Sequence, residues 1–404
     1  MQRTESQAAL PSHLKGMNRQ KILRVIQTGR VLTVADIHTE TSISRPTITR
    51  AVQDYLRQGV LRSVGYGSTT SMGGKKPELF CFADERKILC INLWPDTITL
   101  SLSGLIGDVY DLKRIPYQMG GSLTDAFGTV RTLAQDYLEA HHLIPDNLYG
   151  VVLSVPGTVD YPTRTLRYNS QAPGWGTNVN LAGHLRDIFG DKPVYLIDNA
   201  GKAAGRALLM ERPQYADIRL MTLFTSWGVS ACMIERGHIL NGRDSLIGEI
   251  GHMVISEGSA DLCGCGKRGC LEGQVSIRRV RQMMQELGAE GDLENLSYLG
   301  LFARSREGDA IAREVVRHLA RSFASALHNL SLAYDQDAVV FQGAFAWADE
   351  VFDACMQEEL RQFRYYPEGQ LFSIDYDRRD LAQLAAQGGA ELIKRQYFSA
   401  LAED

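Results

Sequence analysis

The chain has 404 residues, 44% hydrophobic and 22% charged, which predicts two or three domains of ordinary globular composition. No run of about 18 apolar residues occurs, which excludes a membrane span, and the start Met1-Gln2-Arg3-Thr4-Glu5 has no apolar signal core, so a cytoplasmic location is expected. Residues 1–80 hold 12 Lys/Arg against 5 Asp/Glu, whereas the rest holds 31 against 42, a basic head on an acidic body that permits a polyanion partner for the head.

Residues 1–15 show no apolar period and read as a loose arm. From Met17 a helix is predicted, with Ile22, Leu23 and Ile26 on one face and Gly29 as its stop. A second helix fits Val34 to Thr41, capped by Thr33, and a third fits Arg45 to Gln58, capped by Ser44 and ended by Gly59. Pro46 falls in the first turn, where a missing N–H costs little. Ile48, Val52, Tyr55 and Leu56 form the buried stripe of this helix. Arg45, Pro46, Thr47, Thr49, Arg50 and Gln53 are left for the outer face and the helix start, where a major-groove helix meets bases and phosphates. Two strands, Val60 to Val64 and Glu78 to Phe82, enclose a Gly/Ser-rich loop ending Gly73-Gly74-Lys75-Lys76-Pro77. The order predicts a winged helix-turn-helix over residues 1–84, with Lys75 and Lys76 at the wing tip for phosphate or minor-groove contact.

Residues 85–404 change character. Strands are expected at Lys87–Leu93, Thr97–Leu102 and Asp108–Lys113, then a helix at Leu123–His141 and strands at Gly150–Val155 and Val194–Ile197. An Ala-rich helix follows from Gly201, and 219–240 repeats the three-strand opening. Two such units predict a duplicated two-lobe α/β body with a ligand cleft between the lobes. Helical stretches at Asp309–Tyr334 and Asp380–Phe398 read as core and oligomer surface.

The most specific segment is 248–276. It reads Gly248-Glu249-Ile250-Gly251-His252, then Cys263-Gly264-Cys265, then Cys270-Leu271-Glu272. One His and three Cys form the closed four-ligand set of a structural zinc, with no position left for a catalytic water, and a redox thiol cluster is the alternative. A reducing compartment keeps such thiols on metal rather than in disulfides.

The wing ending GGKKP, Pro156-Gly157, GEIGH at 248–252 and CGCGKRGCLE at 263–272 resemble the ROK family, in particular its NagC/Mlc/XylR-type repressor branch, over nearly the whole chain. The resemblance implies an actin/hexokinase-like (ribonuclease H-like) body, a structural Zn2+ on His252, Cys263, Cys265 and Cys270, and a sugar or sugar-derivative effector held by Asp198, Asn199, Glu249, His252 and Glu272. It further implies a nucleoid-associated repressor of carbohydrate uptake or catabolism genes, binding double-stranded operator DNA as a homodimer or homotetramer. Kinase features of the family are missing. The first phosphate loop reads Asn92-Leu93-Trp94-Pro95-Asp96-Thr97, with no glycine pair, and the second Thr225-Ser226-Trp227-Gly228, with one glycine left, whereas glycines bring backbone N–H groups to phosphate. In the best register Asn199 stands at the family's base position, where an amide takes no proton, and a one-residue slip puts Asp198 there instead. The expectation is therefore a non-enzyme. The alternatives are a sugar kinase with an appended head and a repressor controlled by a protein partner.

Overall fold

The computed structural model describes residues 11–68, 76–259, 261–363 and 372–403. The head contains α1 (Pro11–Ile26), α2 (Val34–Thr41), α3 (Arg45–Arg57), β1 (Leu61–Tyr66) and β2 (Glu78–Phe82). The first helix starts six residues before the Met17 expected from periodicity, because Pro11 is tolerated in a first turn. Thr33 caps α2 in a full capping box with Asp36. Ser44 occupies the cap position of α3 without capping its backbone. Its hydroxyl instead meets Thr47 Oγ1 at 2.8 Å, and Pro46 has removed one of the N–H groups a cap reaches. β1 and β2 pair antiparallel, and Leu32 bridges Phe80 as a third short strand. Lys75 and the rest of the wing tip, 69–75, lie outside the described residues.

The body is two copies of one sheet plan. The first lobe contains β3 (Lys87–Leu93), β4 (Thr97–Gly104), β5 (Val109–Pro116), α4 (Leu123–Ala140), β6 (Leu148–Val155), the hairpin β7 (Thr158–Asp160) and β8 (Thr165–Tyr168), α5 (Leu181–Phe189) and β9 (Val194–Asn199). Its strand order is β5-β4-β3-β6-β9, antiparallel through β3 and parallel after it. After α6 (Ala200–Glu211) the second lobe follows with β10 (Arg219–Thr225), β11 (Val229–Glu235) and β12 (His238–Ile239). The helices α7 (Leu271–Val275), α8 (Ile277–Glu286), α9 (Tyr298–Arg306) and α10 (Ala310–Tyr334) come next. Then come β13 (Ala338–Gly343), α11 (Glu350–Gln362), β14 (Ser373–Asp377) and α12 (Leu381–Glu403). The order β12-β11-β10-β13-β14 repeats that of the first lobe, with the same parallel and antiparallel pairs. This is the two-lobe architecture the motifs implied. Sequence reading missed β13 because it is buried without alternation, and a short apolar run carries no period.

Between the sheets α6 and α12 lie against each other, α6 on the second sheet and α12 on the first. Two adjacent glycines let α12 do this. A Cβ on Gly388 would sit 1.8 Å from Ala203 O on α6, and one on Gly389 would sit 2.4 Å from Val152 on β6. The far end of α12 reaches the head. Arg19 on α1 donates to Leu401 O at 3.2 Å, Tyr397 OH donates to Asp84 at 3.0 Å, and Phe82 packs on Tyr397 and Phe398. Head residues such as Ile22, Ile48 and Tyr55 therefore belong to one hydrophobic cluster with Cys90, Ala390 and Ile393 of the body.

Candidate functional site

The outer face of α3 follows from its inner face. Ile48, Ala51, Val52 and Tyr55 are buried, each fully buried large side chain adding about 1.5–3 kcal/mol. That leaves Arg45, Pro46, Thr47, Thr49, Arg50 and Gln53 exposed. Neither Arg45 nor Arg50 is ion-paired with a described carboxylate, whereas Arg19 and Arg57, at the back and end of the head, both bind Asp54. A shallow groove of about 260 Å³ runs between Arg45, Thr49 and Gln53 of α3 and Pro77 and Glu78 of the wing. Lys76, next to it, is exposed.

The cleft between the lobes brings together four of the five residues expected to hold the effector. Asn199, Glu249, His252 and Glu272 line one chamber of about 80 Å³. Asn199 is also structural. Its Oδ1 accepts from the N–H groups of Gly201 and Lys202, capping α6, and its Nδ2 donates to Gly157 O at 2.8 Å. Glu249 accepts from Thr158 Oγ1 at 3.1 Å, and burial pushes its carboxyl above the usual range. Glu272 accepts from Val229 N at 3.0 Å. Gly248, which opens the GEIGH turn, has φ 104°, and a Cβ there would lie 2.0 Å from Ala231 O. Only glycine lets this turn press Glu249 into the cleft.

Asp198 is the exception and corrects the sequence reading. It is 1% exposed and absent from the cleft walls. Arg206 Nη1 donates to its Oδ2 at 2.9 Å and to Gly388 O at 3.0 Å. The carboxylate holds β9, α6 and α12 together rather than meeting a ligand, because a charge this deep needs a charged partner. Sequence reading also missed Lys202, buried beside the same cleft. Its Nζ donates to Asn241 at 2.8 Å, and burial lowers its pKa. The clue lay in its surroundings: apart from Lys202 and Arg206, the first two turns of α6 are small residues, which suits close packing on every side.

The four expected metal ligands converge. The ligand atoms of His252, Cys263, Cys265 and Cys270 all lie within 4.8 Å of one another. Cys265 Sγ and Cys270 Sγ are 3.8 Å apart, and Cys263 Sγ lies 3.5 Å from His252 Nδ1. A zinc tetrahedron with Zn–S about 2.3 Å and Zn–N about 2.0–2.1 Å has S–S edges of about 3.8 Å and S–N edges of about 3.6 Å. The residues therefore fit a tetrahedral metal ion. With Nδ1 turned to the thiols, Nε2 is the nitrogen left for the chamber that His252 lines. The cluster ties the Glu249–His252 turn to the start of α7, where Glu272 sits.

The segments after β3 and after β10 meet across the cleft. Trp94 follows β3 and packs edge-on against Phe224 of β10, with centroids 5.9 Å apart. Trp227, in the β10–β11 turn, donates from Nε1 to Asp96 Oδ1 at 3.0 Å. Each contact crosses from one lobe to the other.

Comparison with known proteins agrees with this geometry. The ROK family profile matches residues 124–396. The xylose repressor of Caldicellulosiruptor bescii is 23% identical over 362 residues, covering 86% of this chain and 88% of its own. A glucokinase of Halalkalibacterium halodurans is 26% identical over 333 residues, covering 78% of this chain and 97% of its own. Among solved structures, a ROK family transcriptional regulator described as a homologue of the Escherichia coli MLC protein superposes with a TM-score of 0.75. It is 20% identical and covers 96% of this chain and 98% of its own. No helix among the described residues is long and apolar enough to cross a membrane.

Proposed function

The chain belongs to the ROK family, and from that membership we propose that it is a transcriptional repressor of carbohydrate uptake or catabolism genes, released or engaged by a sugar-type effector in the cleft. The observation that carries this reading is the exposed face of α3 beside the wing, where neither Arg45 nor Arg50 is ion-paired with a described carboxylate. Residues 1–84 act as the DNA-binding unit and 85–404 as the effector-binding and oligomerisation unit, in the cytoplasm. Two copies, as a homodimer or half of a homotetramer, place two α3 helices in successive major grooves of a near-palindromic operator. Arg45, Thr47, Thr49, Arg50 and Gln53 read bases or fix register, Pro46 shapes the helix start, and Lys75 and Lys76 hold backbone phosphates. Asn199, Glu249, His252 and Glu272 hold the effector hydroxyls. A structural Zn2+ on His252, Cys263, Cys265 and Cys270 orders the loop that carries two of those groups. The effector acts only through unequal affinity for two lobe arrangements, and α12, which spans from cleft to head, conveys the difference.

The test is selection of genomic fragments by the purified protein, followed by sequencing. Enrichment of a near-palindromic site beside sugar genes is expected, and no enrichment by folded, metal-loaded protein sinks the reading. On such a site Arg50→Ala is expected to cost about 1–3 kcal/mol, roughly 5- to 150-fold in affinity. Metal content and thermal stability should be unchanged, with binding read by anisotropy at fixed salt.

The glucokinase relative favours a second reading, a sugar kinase with an added head. With Trp94 and Trp227 in the phosphate loops and Asn199 holding a helix cap, no sugar-dependent ADP release is expected in a coupled assay across common hexoses and pentoses. Turnover above about 1 per second, the low end of ordinary enzymes, would establish the kinase instead.

A further inference from the structure

Residues 11–80 of the head hold four carboxylates, Asp36, Glu40, Asp54 and Glu78. Three are engaged within the head: Asp36 by Thr33, Glu40 by Arg30, and Asp54 by Arg19 and Arg57. Glu78 makes no hydrogen bond or ion pair through its side chain with a described residue. It opens β2, opposite Tyr66 of β1. Side chains two apart on a strand share a face, and Phe80, two residues on, is 4% exposed in the head core. Glu78 stands on that same side, where it lines the groove of about 260 Å³ with Arg45, Thr49 and Gln53 of α3. Among the groove's described lining residues it is the one carboxylate. It sits beside exposed Lys76, on the side of the head that Arg45 and Arg50 make basic.

We infer that Glu78 is a specificity-determining residue of the head, accepting a hydrogen bond from the exocyclic amino group of one cytosine in each operator half-site. The inference rests on the reading of the head as an operator-binding unit. An ionised carboxylate only accepts hydrogen bonds, and every backbone phosphate is an acceptor too. Pressed against a duplex with no donor in reach, such a group loses its water and gains no partner, which is costly. The donors a duplex presents in its major groove are cytosine N4 and adenine N6. Adenine sets the acceptor N7 beside its N6, and guanine and thymine turn acceptors to this edge, so cytosine is the base that suits a carboxylate. The cations of this face draw in any duplex, whereas Glu78 opposes phosphate everywhere and is satisfied at one base.

The test is selection from a random duplex library by the full, metal-loaded chain and by its Glu78→Ala and Glu78→Gln variants. The wild type is expected to enrich cytosine at one position of each half-site. Glu78→Ala should lose the preference at that position alone, discrimination of cytosine from thymine there falling by about fivefold or more. Its affinity for unrelated duplex should rise, because a charge that opposes phosphate is gone. Glu78→Gln should move the preference to adenine, because an amide meets N6 and N7 together. Glu78 is partly exposed, so both variants should melt with the wild type. Should the alanine variant melt lower, the glutamine variant carries the comparison. Unchanged preferences in both variants, loss of preference for a base other than cytosine, or a gain in affinity equal for all sequences overturns the inference and leaves the repressor reading standing. A wild type that enriches no site overturns that reading, and this inference with it.

Discussion

Cys265→Ser is expected to empty the proposed zinc site and lower the melting temperature of the body by about 5–10 °C. Cys265 is the right ligand to change, because it is partly exposed while Cys263 and Cys270 are 4% and 0% exposed. Serine there removes a thiolate with little loss of packing, so the destabilisation reports the metal. Structural zinc binding is folding free energy, and at the length of the body each of several kcal/mol lost moves the melting point by about 1.5 °C. Effector response should disappear with the metal, since the cluster ties the Glu249 turn to Glu272. Operator binding by the head should persist at low temperature. Metal analysis and calorimetry check both points. Chelation of the wild type should reproduce the loss and leave the variant unmoved. A variant with full metal content and unchanged melting would remove the zinc assignment.

Arg206→Ala is expected to cost about 3–5 kcal/mol, the range for a buried ion pair stripped of one partner. Asp198, 1% exposed, would lose its ion-pair partner, and Gly388 O would lose its donor. The damage falls on the joint between lobes, where β9, α6 and α12 meet. Denaturant unfolding measures it. Combining Asp198→Asn with Arg206→Leu should recover much of the loss, since a neutral pair needs no buried counter-charge. If the single change costs under 1 kcal/mol, the pair does not organise the joint.

The parts of this protein legible in sequence were those with local signals. The cap at Thr33, the polar face of α3 and the sequential strands of each sheet all follow from residues close in the chain. The metal cluster was legible because its ligands span only 252–270. What stayed hidden depends on distant partners. Asp198 sits one residue from a cleft residue, and only the position of Arg206 and Gly388 turns it inward. Arg278 and Arg281 belong to no motif, and reach the cleft because α8 follows the metal loop. The contacts Trp94–Phe224 and Trp227–Asp96 join segments more than 100 residues apart, which no period could announce.

The meeting of α1 with the end of α12 sets an order on synthesis. The underside of the head, including Arg19 and Phe82, is covered by residues 397–402, which leave the ribosome some 320 residues after the head itself. At about 5–20 residues per second, the head waits on the order of half a minute with that apolar surface bare. A half-made chain therefore carries an uncovered apolar patch on its head until the last residues of the body arrive.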